Sequence, residues 1–430
     1  MSDINQAALR RVIGVRGLAA AIFNITVGAG IFVLPAYAAG QIGTAAPLAY
    51  IVCAVAIALV ALCFAEAGSR VPRSGGPYAY VGAAFGPYVG YLCGLLLWLG
   101  ITLAMGAVST VFADAVAELV PRLTGLAWRA AIVVLLVGSL SVVNVRGAAS
   151  GSRLSVISIV AKLVPLVAFV VLGLPHVTTA NLSIGTLPPL GRIGSAGLLL
   201  MFAFFGMESG LQVSGEVTAP QLTVPRAIAL GLVGVAALYI SVQVVAQGVL
   251  GSALSATETA KAPLAAAARQ FAGSAGAELI LIGMIVSTFG FMAASMLSTP
   301  RTLYALAADG FLPRPLAAVH PGYHTPRAAI LTQAVVVCAI ALTGTYVKIA
   351  IMASVAVLLV YFACCLAALQ LRRRNVGSEG NPFRMPAGAV VPWVAAALLG
   401  FLLSTATPTA WLLTAGVVVL ASLGYVARRG

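Results

Sequence analysis

The chain has 430 residues, 61% of them hydrophobic and only 8% charged, with a formal net charge of +14. Soluble domains carry about 25% charged residues, so a single globular core cannot hide this much apolar surface from water, and lipid must be the solvent. The apolar runs are about 20 residues long, the length of a helix crossing roughly 30 Å of hydrocarbon, and they lack period-2 alternation; with backbone groups in lipid obliged to pair internally, this predicts an all-α membrane protein and excludes a barrel.

In chain order, residues 1–17 are polar and basic and read as a cytoplasmic N-terminal segment. No small-residue cleavage pattern follows, so the first span is expected to be retained. Apolar runs against polar punctuation predict twelve spans, at 18–40, 45–68, 87–117, 128–146, 153–174, 195–216, 227–250, 276–298, 327–345, 347–371, 388–405 and 408–427. Between the seventh and eighth, residues 261–271 read as a short surface helix over the vestibule. With the N-terminus inside, 17 of the 24 basic residues fall on the inner side and six on the outer, leaving Lys162 within the fifth span. That bias is the positive-inside signature, and it predicts both termini in the cytoplasm of a multi-pass protein of the cell (inner) membrane. The charge is thereby assigned to orientation, and no nucleic-acid partner is expected. The six cysteines all lie in apolar runs without metal-like or CxxC spacing, so no metal site and no cofactor is expected.

Two spans are interrupted by glycine at matching places. The first reads Asn24-Ile25-Thr26-Val27-Gly28-Ala29-Gly30-Ile31-Phe32, and the sixth reads Phe202-Ala203-Phe204-Phe205-Gly206-Met207-Glu208-Ser209-Gly210. A single membrane glycine is usually a packing notch, but two broken spans five helices apart are harder to explain that way. Repeats of five spans must be inverted, and discontinuous helices at corresponding positions of inverted repeats mark a midplane transport site. An unwound stretch offers free amides to a carboxylate at the start of one half-helix and free carbonyls to an ammonium at the end of the other. A zwitterionic amino acid fits such a break. Two charges fall within spans, Lys162 and Glu208, where an ionisable group is functional by default. Asp114 and Glu66 lie near span ends and are expected to reach the interface.

At these residues the chain resembles the amino acid–polyamine–organocation transporter superfamily. Gly28-Ala29-Gly30-Ile31-Phe32 is similar to that family's first-helix break, and Pro72-Arg73-Ser74-Gly75-Gly76-Pro77-Tyr78-Ala79-Tyr80 to its loop after helix 2. Phe205-Gly206-Met207-Glu208 with Glu216, Pro220 and Pro225-Arg226-Ala227 resembles its sixth helix and following loop. Arg301, Ala305, Ala307 and Asp309-Gly310-Phe311-Leu312-Pro313 resemble its loop after helix 8. The resemblance spans nearly the whole chain. It implies a five-plus-five inverted repeat, 18–174 and 195–371, with helices 1 and 6 broken, followed by two additional transmembrane helices within 388–427.

Carried onto matching positions, the resemblance places the substrate carboxylate at the amides of Ala29 and Gly30 and the ammonium at carbonyls near Thr26, Phe202 and Phe205. Gly28 and Gly206 line the same space. Alanine stands at 29 where some relatives have a hydroxyl residue, which removes one side-chain hydrogen bond and keeps the backbone contact. Lys162 looks like the fifth-helix lysine that some members hold against the broken first helix, where other transporters of this fold place sodium. Sodium-independent transport, by proton symport or exchange, is therefore expected, with Lys162 and Glu208 as ion-coupling candidates and the proton as coupled partner. A side-chain pocket drawn from helices 1, 3 and 6, with Phe202, Phe205, Met105 and Val108, is apolar, so the favoured substrate is a neutral apolar amino acid. The runner-up is a polyamine or cationic amino acid transporter or antiporter, which would want more acidic groups than Glu208 alone. An enzyme or a channel is the alternative in another class. No HExxH, GxSxG or His/Cys cluster and no ring of charged filter residues supports either.

Overall fold

The computed structural model describes residues 14–71, 76–147, 152–206, 218, 220–256, 259–377 and 382–429. Within them every regular element is helical. Helix α1 (Val15–Thr26) and helix α2 (Gly30–Ile42) are the two halves of the first predicted span. They are followed by α3 (Ala46–Arg70), the short α4 (Pro77–Phe85) and α5 (Pro87–Leu119). Next come α6 (Leu126–Val145), α7 (Ser152–Gly173) and α8 (Leu190–Leu200). The second half holds α9 (Pro220–Leu250), α10 (Pro263–Ala308), α11 (Arg327–Thr343) and α12 (Tyr346–Arg373). Helices α13 (Val390–Ser404) and α14 (Pro408–Arg429) end the chain.

Seven helical runs among the described residues are long and apolar enough to cross a membrane, and five shorter apolar helices accompany them. Predicted span edges lie within a few residues of helix ends, except that α8 starts five residues early, α9 starts seven residues early and α10 runs ten residues late, to Ala308; the predicted end of the sixth span, at 216, lies outside the described residues. The predicted surface helix over 261–271 is the first part of α10, set off by non-helical backbone at Gly273 (φ 63°). One face of it is buried, with Pro263, Leu264, Ala265, Ala267 and Ala268, and Lys261, Arg269 and Gln270 are exposed.

Helix α5 is the central post, packed on α10, α12 and α11. Around it α1 lies on α9, α3 on both α8 and α9, α7 on α10, and α2 on α8. The core they share is built from large rings, with Tyr50, Tyr239, Tyr361, Phe32 and Phe64 all but fully buried. The opposite polarity of a soluble protein appears outside. Leu126, Leu135, Val335, Leu412 and Leu420 are exposed by at least 69%, an apolar rind that acyl chains can cover at no cost. The chain is a multi-pass helical membrane protein.

Candidate functional site

Helix α1 stops at Thr26 and α2 starts at Gly30, leaving Val27, Gly28 and Ala29 outside helical pairing. Across from this break, α8 tightens into a 3-10 turn at Met201–Phe204 and then passes into extended backbone at Phe205. Gly206 follows with φ of 108°, a left-handed conformation that glycine adopts without a Cβ penalty. The two interrupted stretches meet directly. A Cβ at Gly30 would lie 3.2 Å from Ala203 Cα and 3.1 Å from Leu34 Cδ1, so glycine at 30 is what lets α2 close on α8. A Cβ at Gly28 would meet nothing nearer than the Thr26 carbonyl at 3.9 Å, so position 28 borders open space. The expected lining role is therefore divided: Gly28 faces room, whereas Gly30 faces packing.

Polar side chains from two other helices hold the carbonyls released at the breaks. The Lys162 ammonium, on α7, donates to the carbonyl of Asn24, in the last turn of α1 just before the break. The Tyr239 hydroxyl, on α9, lies 2.8 Å from the Thr26 carbonyl and 2.9 Å from the Ala203 carbonyl. A phenol has one proton, so it can donate fully to only one of these oxygens at a time. Tyr239 is fully buried, with Tyr50 edge-on at 6.2 Å and Phe204 at 5.2 Å between ring centroids. Nothing in the sequence marks it, because its partners are 213 and 36 residues away.

The start of α2 has no acidic residue in its first turn and no side-chain cap at Ala29. Its amides and dipole therefore remain available to an anion. Nearby, Thr26 Oγ1, Asn24 Oδ1 and the hydroxyls of Tyr50 and Tyr346 are buried without a hydrogen-bond partner. Buried polar atoms are ordinarily paired, so this concentration beside the first break marks a place built for a polar guest.

Aromatic rings cover the outer flank of α8. Phe202 stands edge-on to Tyr346 at 6.0 Å and lies 5.9 Å from Phe205, which is edge-on to Tyr361 at 6.1 Å. Tyr37 of α2 adjoins Tyr346 at 5.9 Å. Phe202 and Phe205 thus stand at the second break against α12. Met105 is buried and turned elsewhere, its sulfur 3.4 Å from Gln333 Nε2 on α11. Val108 is buried on α5. Glu208 lies outside the described residues.

Glu66 is fully buried instead of reaching the interface. Its Oε1 accepts from Arg70 Nη2 at 2.9 Å and Arg372 Nε at 3.0 Å, and its Oε2 accepts from the Met385 amide at 3.0 Å. It ties the ends of α3 and α12 to the segment before α13. Asp114 faces Arg129 at 3.7 Å. Two motifs that were separate in the sequence also meet, since the Tyr78 hydroxyl donates to Asp309 Oδ2 at 3.0 Å. Burial and this bond push the Tyr78 phenol up to about 12.

The profile of the family described as amino acid permease matches residues 13–423. The serine/threonine exchanger SteT of Bacillus subtilis is 29% identical over 410 residues, covering 92% of this chain and 91% of the relative. The methylthioribose transporter of the same organism is 27% identical, covering 90% and 86%. An uncharacterized transporter of Mycobacterium tuberculosis, Rv1999c, is 32% identical over 418 residues, covering 96% and 91%. A family profile matching nearly the full length, on a helical membrane fold with two facing helix breaks, shows that the chain belongs to the amino acid permease family of the amino acid–polyamine–organocation superfamily.

Proposed function

We propose that the chain is a secondary transporter that carries a neutral amino acid through the space between the two breaks, without sodium. The observation that carries this reading is the meeting of Thr26 and Ala203 carbonyls on one buried hydroxyl, Tyr239, with Lys162 on the adjoining Asn24 carbonyl. The substrate carboxylate takes the uncapped amides from Ala29 and Gly30, and its ammonium takes oxygens near Thr26, Phe202 and Phe205. Gly28 and Gly206 give the backbone room beside it. An ammonium on the first break supplies the charge that sodium would otherwise bring, and it repels that ion. Proton symport and exchange both fit this arrangement. Glu208 is the further ion-coupling candidate.

Twelve spans arranged as a five-plus-five inverted repeat, 18–174 and 195–371, with two more helices over 388–427, best fit the packing. Exchanging each of the first five spans with its counterpart turns the contact α1–α9 into α8–α3. It likewise turns α7–α10 into α12–α5 and α6–α10 into α11–α5, all of which occur. Both termini are placed in the cytoplasm of the cell (inner) membrane by the basic residues.

For the side chain, Phe202 and Phe205 favour an apolar group. The orphan hydroxyls of Tyr50 and Tyr346 favour a second reading, a small hydroxylated side chain, as the name of the serine/threonine exchanger would suggest. The test is counterflow in liposomes with leucine, methionine, alanine, serine, threonine and putrescine in sodium-free buffer. Exchange of the amino acids supports the reading. Exchange of putrescine alone moves the assignment to a cation carrier.

A further inference from the structure

At the membrane end shared by α3, α12 and α13 the structure holds an open cavity of about 480 Å³ lined by Arg70, Arg372, Asn375, Arg384, Met385 and Gly388. Two of its lining arginines, Arg70 and Arg372, pair with the buried Glu66. That carboxylate uses Arg70 completely, taking Nε at 3.1 Å and Nη2 at 2.9 Å, while Arg70 Nη1 reaches the Val376 carbonyl at 3.4 Å. Its ion pair with Arg372 runs through Nε, at 3.0 Å. Arg372 lines the cavity as well, and the exposed Arg384 stands on the rim. Among the described residues two guanidinium groups pair with one carboxylate, and no ion pair is formed by the third, that of Arg384; the one acid of the adjoining loop, Glu379, lies outside them.

The backbone of the rim is also unusual. Asn375 (φ 51°) and Ala387 (φ 56°) are two of the three non-glycine residues with left-handed φ among the described residues. For alanine this conformation costs roughly 1–2 kcal/mol, and strain of that kind persists where a local arrangement is worth holding. Here it turns the segment before α13 so that the Met385 amide reaches Glu66 and Arg384 stands over the cavity.

We propose that this cavity is a binding site for a phosphate-bearing anion, either the headgroup of an acidic phospholipid or a soluble phosphate. A guanidinium fork matches two phosphate oxygens and pairs with them more strongly than a neutral donor does. Basic pockets between helix ends at a membrane surface are suited to such headgroups. Glu66 acts as a positioning residue, holding Arg70 and Arg372 at the cavity wall. An anion there would bind α12 to α3 and α13 by the far ends of helices that flank the second break.

The test uses the full chain in detergent, with its unfolding midpoint read against added dioleoylphosphatidylglycerol, dioleoylphosphatidylcholine or inorganic phosphate. A ligand that binds only the folded state raises the midpoint with concentration. The expected result is a rise of several degrees with phosphatidylglycerol, none with phosphatidylcholine, and loss of most of the rise in Arg384→Gln. Arg314→Gln, which removes an exposed arginine elsewhere, should keep the full rise. A rise with inorganic phosphate and none with phosphatidylglycerol supports the same site with a soluble ligand. No rise with either anion, or an equal rise in wild type and Arg384→Gln, or an equal loss in Arg314→Gln, overturns the site.

Discussion

The two helix breaks look alike in the sequence and are held differently in the fold. At the first, polar side chains from two helices grip the released carbonyls, Lys162 on Asn24 and Tyr239 on Thr26. At the second, the same Tyr239 hydroxyl reaches the Ala203 carbonyl, and aromatic pairs stand beside it, Phe202 against Tyr346 and Phe205 against Tyr361. Hydrogen bonds to charged groups contribute about 1.5–3 kcal/mol and aromatic pairs about 0.5–1.5 kcal/mol. The difference teaches that matched glycines need not be held by matched contacts.

The largest effect is expected from cutting the charged anchor. Lys162→Ala removes the ammonium from the Asn24 carbonyl and should reduce uptake by roughly 10- to 100-fold, the equivalent of the energy of a charge-assisted bond. If the lysine couples protons, exchange persists and only proton-driven accumulation is lost; if it is a tether, substrate binding itself weakens. In wild type a sodium gradient should not stimulate uptake, and stimulation would refute both roles.

Next in size is Gly30→Val. The added carbons must displace Ala203 or Leu34, and overpacking typically costs about 1–3 kcal/mol. The expected outcome is a lower melting midpoint and a lower yield of folded protein, with the two breaks forced apart. Normal stability would mean that the breaks do not close on each other as described.

Tyr239→Phe sharpens the comparison because it removes one hydroxyl from both breaks at once. The net worth of such a bond is about 1 kcal/mol, so apparent substrate affinity should fall about fivefold in a protein that still folds. If the shared hydroxyl serves both breaks, exchange rates should fall together with affinity; a loss of affinity with unchanged rates would confine its role to one of them.

The smallest effect is expected far from both breaks. Tyr78→Phe deletes a partly exposed hydrogen bond to Asp309, and the melting midpoint should fall by only about 1–2 °C. A large loss of transport would show that this tie governs movement of α4 against the end of α10.

The sequence displays the spans because twenty apolar residues have few alternatives in lipid, and it displays the breaks because glycine interrupts runs that are otherwise good helices. It displays Lys162 because a charge within a span stands out. It hides Tyr239, an aromatic within the apolar run Ala236-Ala237-Leu238-Tyr239-Ile240, whose meaning arises only when α9 is laid on α1 and the hydroxyl meets the turn after α8. It also hides the burial of Glu66, since an acid near a span end ordinarily reaches water; Arg372, 306 residues along the chain, is what keeps it inside. Nor does the sequence display the neighbour of Met105 on α5, whose sulfur accepts from Gln333 on α11.

The central claim is that the space beside the first break belongs to the substrate, and Gly28→Val tests it most directly. A Cβ there meets nothing closer than 3.9 Å, so the valine enters the space without displacing the chain. The account predicts a melting midpoint within about 2 °C of wild type and counterflow of every amino acid abolished. Counterflow at the wild-type rate and affinity in the folded variant would contradict it.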